Sequence, residues 1–422
     1  MLKTISDIIW VITTFFIVYV GFYYTFYLKF PQFRLKKIIK SLKSKNSEKT
    51  NTFELLNLTL AGKIGVGSIS GIALCIYIGG IGAIFWLWIS VLVLASLSYV
   101  ETKLGIKYRT KFNDEFIGGP SFYIEKGLGN KTLARIYSIL IIITYIFAFI
   151  SIQSNTIIIS LENTFSINKI IIVIFLVVLT YLSICKGIKT ISRLTSFLVP
   201  IMGSIYILTG AIIIFNNWNE VIDIFKNIII SAFDINGLKS LFIVPIIIGI
   251  ERGVFSNEAG IGTTAMIASL SNNNDIEKQA NVQILGTFFT SLIICTITAL
   301  IILTSNYETL NFTNINGIEL VSHAFFEHFG YFGIVLLTTI IFLFAFSTIV
   351  TSYYYGDINI KYLFKNNKFN TILKIIVIIV IIYSSFTSPT ILWNTTDIIV
   401  ALITIINIYS MYKLKKKVNG KE

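Results

Sequence analysis

Charge is scarce in these 422 residues: 13% are Asp, Glu, Lys or Arg, against 55% hydrophobic and 14% aromatic. Histidine is rarer still, with two, and there are three cysteines. Each shortage excludes something. His323 and His328 cannot build a histidine-rich metal centre. Cys75, Cys185 and Cys295 lie in or at the ends of apolar runs, show no metal-ligand spacing and call for no disulfide. No paired acid and base or Cys/His set marks a catalytic centre. "GVGSISG" at 65–71 has the look of a nucleotide loop, but no strand precedes it and no βαβ unit surrounds it. The chain therefore reads as no enzyme, with no cofactor. The ~10-residue alternating segments of a membrane β-barrel are also missing.

What is present is apolar sequence in long runs. Mean hydropathy is +0.80, and runs of about 20 residues, enough to cross ~30 Å of hydrocarbon, recur throughout. This is the signature of an all-α polytopic membrane protein. The first run, "IIWVITTFFIVYVGFYYTFYL", is too long for a signal-peptide core and lacks a small-residue cleavage site, so it reads as a span. Eleven spans are expected, near residues 8–28, 54–79, 82–104, 133–160, 169–185, 192–215, 238–269, 282–305, 329–356, 371–387 and 389–412.

The formal net charge of +13 reflects topology and not nucleic-acid binding, because the basic residues fall in alternate loops. Lys29, Arg34, Lys36, Lys37, Lys40, Lys43, Lys45 and Lys49 follow the first span. Lys107, Arg109 and Lys111 follow the third, and Lys186, Lys189 and Arg193 the fifth. Lys361, Lys365, Lys368 and Lys374 come later, then Lys413, Lys415, Lys416 and Lys417 in the tail. Intervening loops carry Glu220, Asp223, Asp234, Glu308, Glu319 and Glu327. Threading eleven spans puts every strongly basic loop on one side, which the positive-inside rule makes cytoplasmic. The N-terminus is then outside, the C-terminus in the cytoplasm, and the lipid bilayer of the cell membrane is the surrounding partner.

Two spans are interrupted. "AGKIGVGSISG", 61–71, places glycines, two serines and Lys63 inside an apolar segment. "GIERGVFSNEAGIGTTAMI", 249–267, places Glu251, Arg252, Ser256, Asn257 and Glu258 among glycines. The first interrupted span opens the first five of ten core helices and the second opens the other five. Matching breaks point to an inverted repeat with a discontinuous helix in each half. Unwound backbone in hydrocarbon costs several kcal/mol per unpaired group, so it survives where a ligand, ion, water or another helix takes those groups. The expected organisation is an extra N-terminal helix (1–30), a basic cytoplasmic linker (31–52), a first five-helix repeat (53–215), a second (216–412) and a basic tail (413–422).

Taken together, "AGKIGVGSISG", "GGIGAIFWLWI", "KYR", "GGPSFYIEKGLG", "QSN", "ERGVFSNEAGIG", "FAFSTI" and "WNTTD" resemble the alanine or glycine:cation symporter family, in order from about residue 53 to 410. The resemblance implies the leucine-transporter type of fold, a 5+5 inverted repeat. It also implies alternating access and sodium-coupled import of a small neutral amino acid at the inner membrane. Carried over by position, the substrate carboxylate meets backbone around Gly65, Val66, Gly67 and Ser68. Phe255, Ser256 and Asn257 close the other side, Gln153 supplies a polar side chain and Trp393 limits volume. The cation site resembles one made by carbonyls of Ala61 and Ile64 with hydroxyls of Ser347 and Thr348. No obligate protein partner is implied.

The chain departs from the family's usual "AGTVGTGNIAG" with Lys63 and Val66 for threonines and Ser68 for asparagine. Two readings of Lys63 follow. Its ammonium occupies or shadows a cation position and alters coupling, or it pairs with Glu251, Glu258 or Asp397 and leaves coupling intact. Glu251, Arg252 and Glu258 read as mutual pairing that holds the break. Asp397 pairs with a lysine or caps a break, and the two histidines read as surface or gate residues. A passive channel, a membrane enzyme, and a transporter-like amino-acid sensor are the competing classes. Concentrative uptake separates the channel from a carrier, and counterflow separates the sensor.

Overall fold

The structure is a computed structural model that describes residues 2–43, 52–113, 115–233, 243–271, 275–307, 317–365 and 368–418. The expected loop charges Lys45, Lys49, Asp234 and Glu308 lie outside the described residues. Helix α1 (Leu2–Tyr27) is followed by a short α2 (Leu35–Lys43). Next come α3 (Thr52–Lys63), α4 (Ser70–Gly79), α5 (Gly82–Lys107) and a two-stranded antiparallel hairpin, β1 (Thr110–Phe112) with β2 (Glu115–Ile117). Helices α6 (Pro120–Leu128), α7 (Lys131–Ile142), α8 (Ile150–Phe165), α9 (Lys169–Cys185), α10 (Ile188–Asn216) and α11 (Trp218–Ala232) complete the first half of the sequence. The second half holds α12 (Ile243–Asn257), α13 (Thr263–Ala268), α14 (Ile276–Phe288), α15 (Cys295–Leu303), α16 (Gly317–Phe364), α17 (Lys368–Ser384), α18 (Pro389–Lys413) and α19 (Lys415–Val418).

Among the described residues seven helical stretches are each long and apolar enough to cross a bilayer: α1, α5, α7–α8, α10, α14–α15, α16 and α18. Helices α3 and α4 qualify together as one segment bent by 67°. The remaining expected spans fall on α9 and α17, 17 residues each, and on α12 with α13. Seventeen residues make about 26 Å of helix, the short end of what crosses hydrocarbon.

Several features differ from the sequence expectation. Residues 218–232, read as a connection, form amphipathic α11. Helix α16 begins twelve residues before the expected span, and Gly330 (φ 61°, ψ −147°) divides the extra stretch from the long helix that follows. Two π-helical segments, Ile143–Phe149 and Phe289–Ile294, interrupt otherwise continuous helices. Each widens a turn and shifts the face presented beyond it, a device often found at functional sites.

The core is assembled by backbone proximity. A Cβ on Gly249 would stand 2.4 Å from the Ala83 carbonyl oxygen, and one on Gly253 would stand 2.6 Å from Ser90 Oγ. These two glycines of α12 therefore serve close packing against α5. Helix α1 straps onto α18: Trp10 Nε1 donates to the Asp397 carbonyl at 3.1 Å and the Tyr24 hydroxyl to the Met411 carbonyl at 2.6 Å. Helix α8 packs along α16, and α3 along α10 and α16. The two broken segments end in the middle of this bundle, where their unwound residues are buried.

Candidate transport site between two broken helices

The first break starts where α3 stops. Ile64 N–H still bonds Leu60 O at 2.7 Å, but Gly65 is extended (φ −121°, ψ −160°) and Val66–Ser68 make one 3₁₀ turn before α4. A Cβ on Gly65 would lie 2.6 Å from Thr348 Oγ1 and 3.0 Å from Gln153 Oε1. Only a bare Cα lets this backbone reach both α16 and α8. Val66 N–H donates to Gln153 Oε1 at 3.0 Å. The N–H groups of Gly65 and Gly67 make no hydrogen bond within the described residues. Ser68 anchors the far side: its carbonyl accepts from Thr298 at 2.7 Å, and its hydroxyl lies 3.1 Å from Ser256 Oγ.

The second break is held by turn chemistry. Asn257 Oδ1 accepts the Ala259 N–H at 2.9 Å, and its Nδ2 donates to Ser291 Oγ at 3.2 Å in a π segment. Its amide thus holds the break's own backbone. Glu258 takes a left-handed conformation (φ 54°), and Gly260 and Gly262 have φ of 91° and 110°. The "GGP" stretch packs here: a Cβ on Gly262 would stand 2.3 Å from Pro120 Cγ. Tyr137 donates to the Ile261 carbonyl at 2.5 Å. Asn407 Nδ2 reaches both Gly260 O and Glu101 Oε1 at 2.9 Å, and Tyr123 donates to Asn407 Oδ1.

Across the first break lies an aromatic shelf. Phe255 stacks on Phe149 (5.0 Å between centroids, 11°) and tilts against Trp393 (5.1 Å). A Cβ on Gly67 would be 2.8 Å from Phe255 Cδ1, and one on Gly71 3.6 Å from Trp393. The structure therefore brings Gly65, Val66, Gly67, Gln153, Phe255 and Trp393 into one small volume. Ser256 sits beside it, with its hydroxyl 2.9 Å from Cys295 Sγ.

On the α16 side, oxygens converge. Thr348 Oγ1 donates to Ala61 O at 2.9 Å and lies 3.5 Å from Ile64 O; Ser347 Oγ lies 3.4 Å from Ala61 O. Two carbonyls and two hydroxyls, with no carboxylate, suit a hard monovalent cation. All four expected residues are thus gathered at one point.

Among the buried charges the expected Glu251–Arg252 pair forms, whereas Glu258, Asp397 and Lys63 take other partners. Arg252 Nη2 contacts Glu251 Oε1 at 2.7 Å and Asp397 Oδ2 at 2.8 Å, and Nη1 contacts Asp397 Oδ1 at 3.2 Å. Asp397 and Glu251 are therefore occupied by arginine and not by Lys63. The guanidinium also lies 5.4 Å from the Trp393 ring centre. Glu258 does not join this pair: it accepts Tyr145 at 2.9 Å and Thr263 at 2.8 Å. Lys63, 2% exposed, turns away from the Ser347–Thr348 oxygens and donates to Thr287 Oγ1 at 3.0 Å. His328 contacts Thr304 at 3.1 Å, and His323 lies 4.0 Å from Glu327.

Glu101 was not singled out from sequence, although a lone carboxylate inside the apolar run "LVLASLSYVETKLG" is itself a signal. Thr287 and Thr298 carried none, being hydroxyls in apolar helix.

Comparison with known proteins decides the family. The sodium:alanine symporter family matches residues 1–421. The chain belongs to that family. Amino-acid carrier protein AlsT of Bacillus subtilis (strain 168) is 33% identical over 408 residues, 96% of this chain and 87% of that one. Probable sodium/glutamine symporter GlnT of the same organism is 32% identical, covering 94% and 84%. Sodium/alanine symporter AgcS of Methanococcus maripaludis is 31% identical, covering 93% and 89%. Among solved structures, MhsT in complex with L-phenylalanine superposes with a TM-score of 0.63 at 14% identity, over 86% of this chain and 89% of that one. A Na+-coupled sialic acid symporter superposes at 0.60 with 12% identity, over 97% and 86%. The fold is that of leucine-transporter-type carriers, and this member of the family is a multi-pass membrane transporter, not an enzyme.

Proposed function

We propose that this symporter imports alanine or glycine together with sodium by alternating access. The observation that carries the reading is the first break itself. The N–H groups of Gly65 and Gly67, without a hydrogen bond among the described residues, flank Val66, whose N–H points at Gln153, beside a shelf of Phe255 and Trp393. A carboxylate suits those N–H groups and the positive end of α4. In this reading Phe255 and Trp393, packed against Gly67 and Gly71, admit no side chain larger than a methyl group. Glutamine, named for one relative, has a side chain several heavy atoms larger than alanine's methyl group, and overpacking of this kind costs ~1–3 kcal/mol. Gly65, Val66, Gly67, Ser68, Gln153, Phe255, Ser256, Asn257 and Trp393 form the substrate site in this reading. Ala61, Ile64, Ser347 and Thr348 hold sodium, with the Ile64 carbonyl next in sequence to the substrate's backbone donors.

The two five-helix halves, 53–215 and 216–412, rock against each other around this site, with 1–30 as an extra helix. The basic loops face the cytoplasm, so the N-terminus is outside and the C-terminal tail inside. The test is uptake of radiolabelled alanine and glycine into proteoliposomes with sodium, lithium or choline outside. Concentrative uptake in sodium, displaced by glycine and not by glutamine or leucine, supports the reading. Uptake that only equilibrates, or equal displacement by glutamine, overturns it.

A further inference from the structure

The oxygens at Ser347 and Thr348 face one side of the first break; Lys63 faces the other. There its ammonium meets a second set of oxygen groups contributed by α14, α5 and the second break. Thr287 of α14 accepts the ammonium at 3.0 Å, and Ser98 of α5 lies 2.9 Å behind Thr287. Glu258 of the second break and Glu101 of α5 are the acidic side chains that face it. Neither closes a contact ion pair with Lys63 among the described residues. Both carboxylates are held by neutral groups instead: Tyr145 and Thr263 on Glu258, Asn407 on Glu101. Glu101 Oε2, fully buried, receives no hydrogen bond among the described residues.

A lysine paired for stability is expected to sit directly on a carboxylate. This one stands off from both, hydroxyl-bound, as a monovalent cation stands in an oxygen-lined site. An ammonium offers three donors, and one is used. The ammonium is the basic group that faces two buried acidic side chains, Glu258 and Glu101, so removing it leaves room and oxygen groups for another cation. Resting on the symport reading above, we infer that Lys63 is a tethered cation. It permanently fills a second monovalent-cation site, formed by Thr287, Ser98, Glu258 and Glu101, separate from the Ser347–Thr348 site. The chain thereby works with one fewer soluble cation than the same architecture would need with a neutral residue at this position. Lys63 adjoins Ile64 in sequence, and Glu258 follows the Ser256–Asn257 turn, so this charge sits at the hinge of both breaks.

The experiment is sodium-dependent thermal stabilisation of the purified full chain, with choline holding ionic strength constant, for wild type and Lys63→Thr. In wild type, stability should rise against the logarithm of sodium concentration with a limiting slope of about one bound ion. Lys63→Thr should melt lower in choline, recover in sodium, and show a slope approaching about two ions, because a second ion now binds the folded state. Superimposable curves overturn the inference, as does a variant as stable in choline as wild type. Should Lys63→Thr not fold in either salt, Lys63→Met with Glu258→Gln decides. Restored folding with the wild-type sodium response supports a tethered charge, and no gain over Lys63→Met alone overturns it. None of these readouts uses an amino acid. A wild type that fails to exchange alanine in counterflow therefore sinks the substrate reading while leaving this one to be judged on sodium alone.

Discussion

Two buried clusters flank the broken helices, each with one base and two carboxylates, and they are built in opposite ways. Around Arg252 every charge is in contact: Glu251 at 2.7 Å, Asp397 at 2.8 and 3.2 Å, with Trp393 and Phe255 rings over the guanidinium. Around Lys63, among the described residues, no carboxylate closes a contact pair, a hydroxyl binds the ammonium, and one carboxylate oxygen goes unbonded. The first is a clasp between α12 and α18 closed by a planar fork that matches a carboxylate in two places. The second is a site whose charge is satisfied at a distance. A buried ion pair in direct contact fixes a structure, whereas a charge that stands off from its carboxylates leaves a position that another cation can fill.

Breaking the clasp should have the largest effect. Arg252→Ala leaves Glu251 and Asp397 buried and unpaired, which costs about 3–5 kcal/mol. The expected outcome is loss of monodisperse protein on size-exclusion chromatography, with a smaller loss for Arg252→Lys, which keeps charge but loses the fork. Lys63→Thr in sodium should be milder than Arg252→Ala. An equal loss would show that the two clusters are the same kind of structure after all.

How far these contacts were legible in the sequence follows from their physics. Span positions could be read because hydrocarbon demands continuous apolar length, and the breaks because glycines with buried charge violate that demand. The Ala61–Ile64–Ser347–Thr348 convergence was legible only through family resemblance, since nothing local ties residues 286 apart. Partner choice was not legible. Asp397 reads from sequence as pairing with a lysine or capping a break, and only the crossing of α12 and α18 hands it to Arg252. Thr287 lies 224 residues from Lys63 on an unremarkable apolar helix. The π segments that carry Tyr145 and Ser291 toward the second break leave no compositional mark.

Next in size comes Gln153→Ala. Removing the acceptor for Val66 N–H should lower alanine uptake by about tenfold, one charge-assisted or buried hydrogen bond's worth, with protein abundance nearly unchanged. Unchanged uptake at normal abundance would make Gln153 a packing residue. Trp393→Ala should then widen specificity: leucine, a weak competitor of alanine uptake in wild type, should gain roughly five- to a hundredfold in apparent affinity. It also strips the ring from Arg252, so a fall in melting temperature should accompany the gain. Competition left unchanged would remove Trp393 from the substrate volume.

The claim at the centre of the account is that the first break binds amino acid on one side and cation on the other, through adjacent backbone. Equilibrium binding of radiolabelled alanine to purified protein, titrated with sodium at constant ionic strength, tests it most directly. The account predicts that sodium tightens alanine binding by about tenfold or more, a coupling of ~1–3 kcal/mol, and that Ser347→Ala with Thr348→Ala removes this effect while leaving sodium-free alanine binding in place. Alanine binding of equal strength in sodium and choline, or sodium tightening that survives the double substitution, would contradict it.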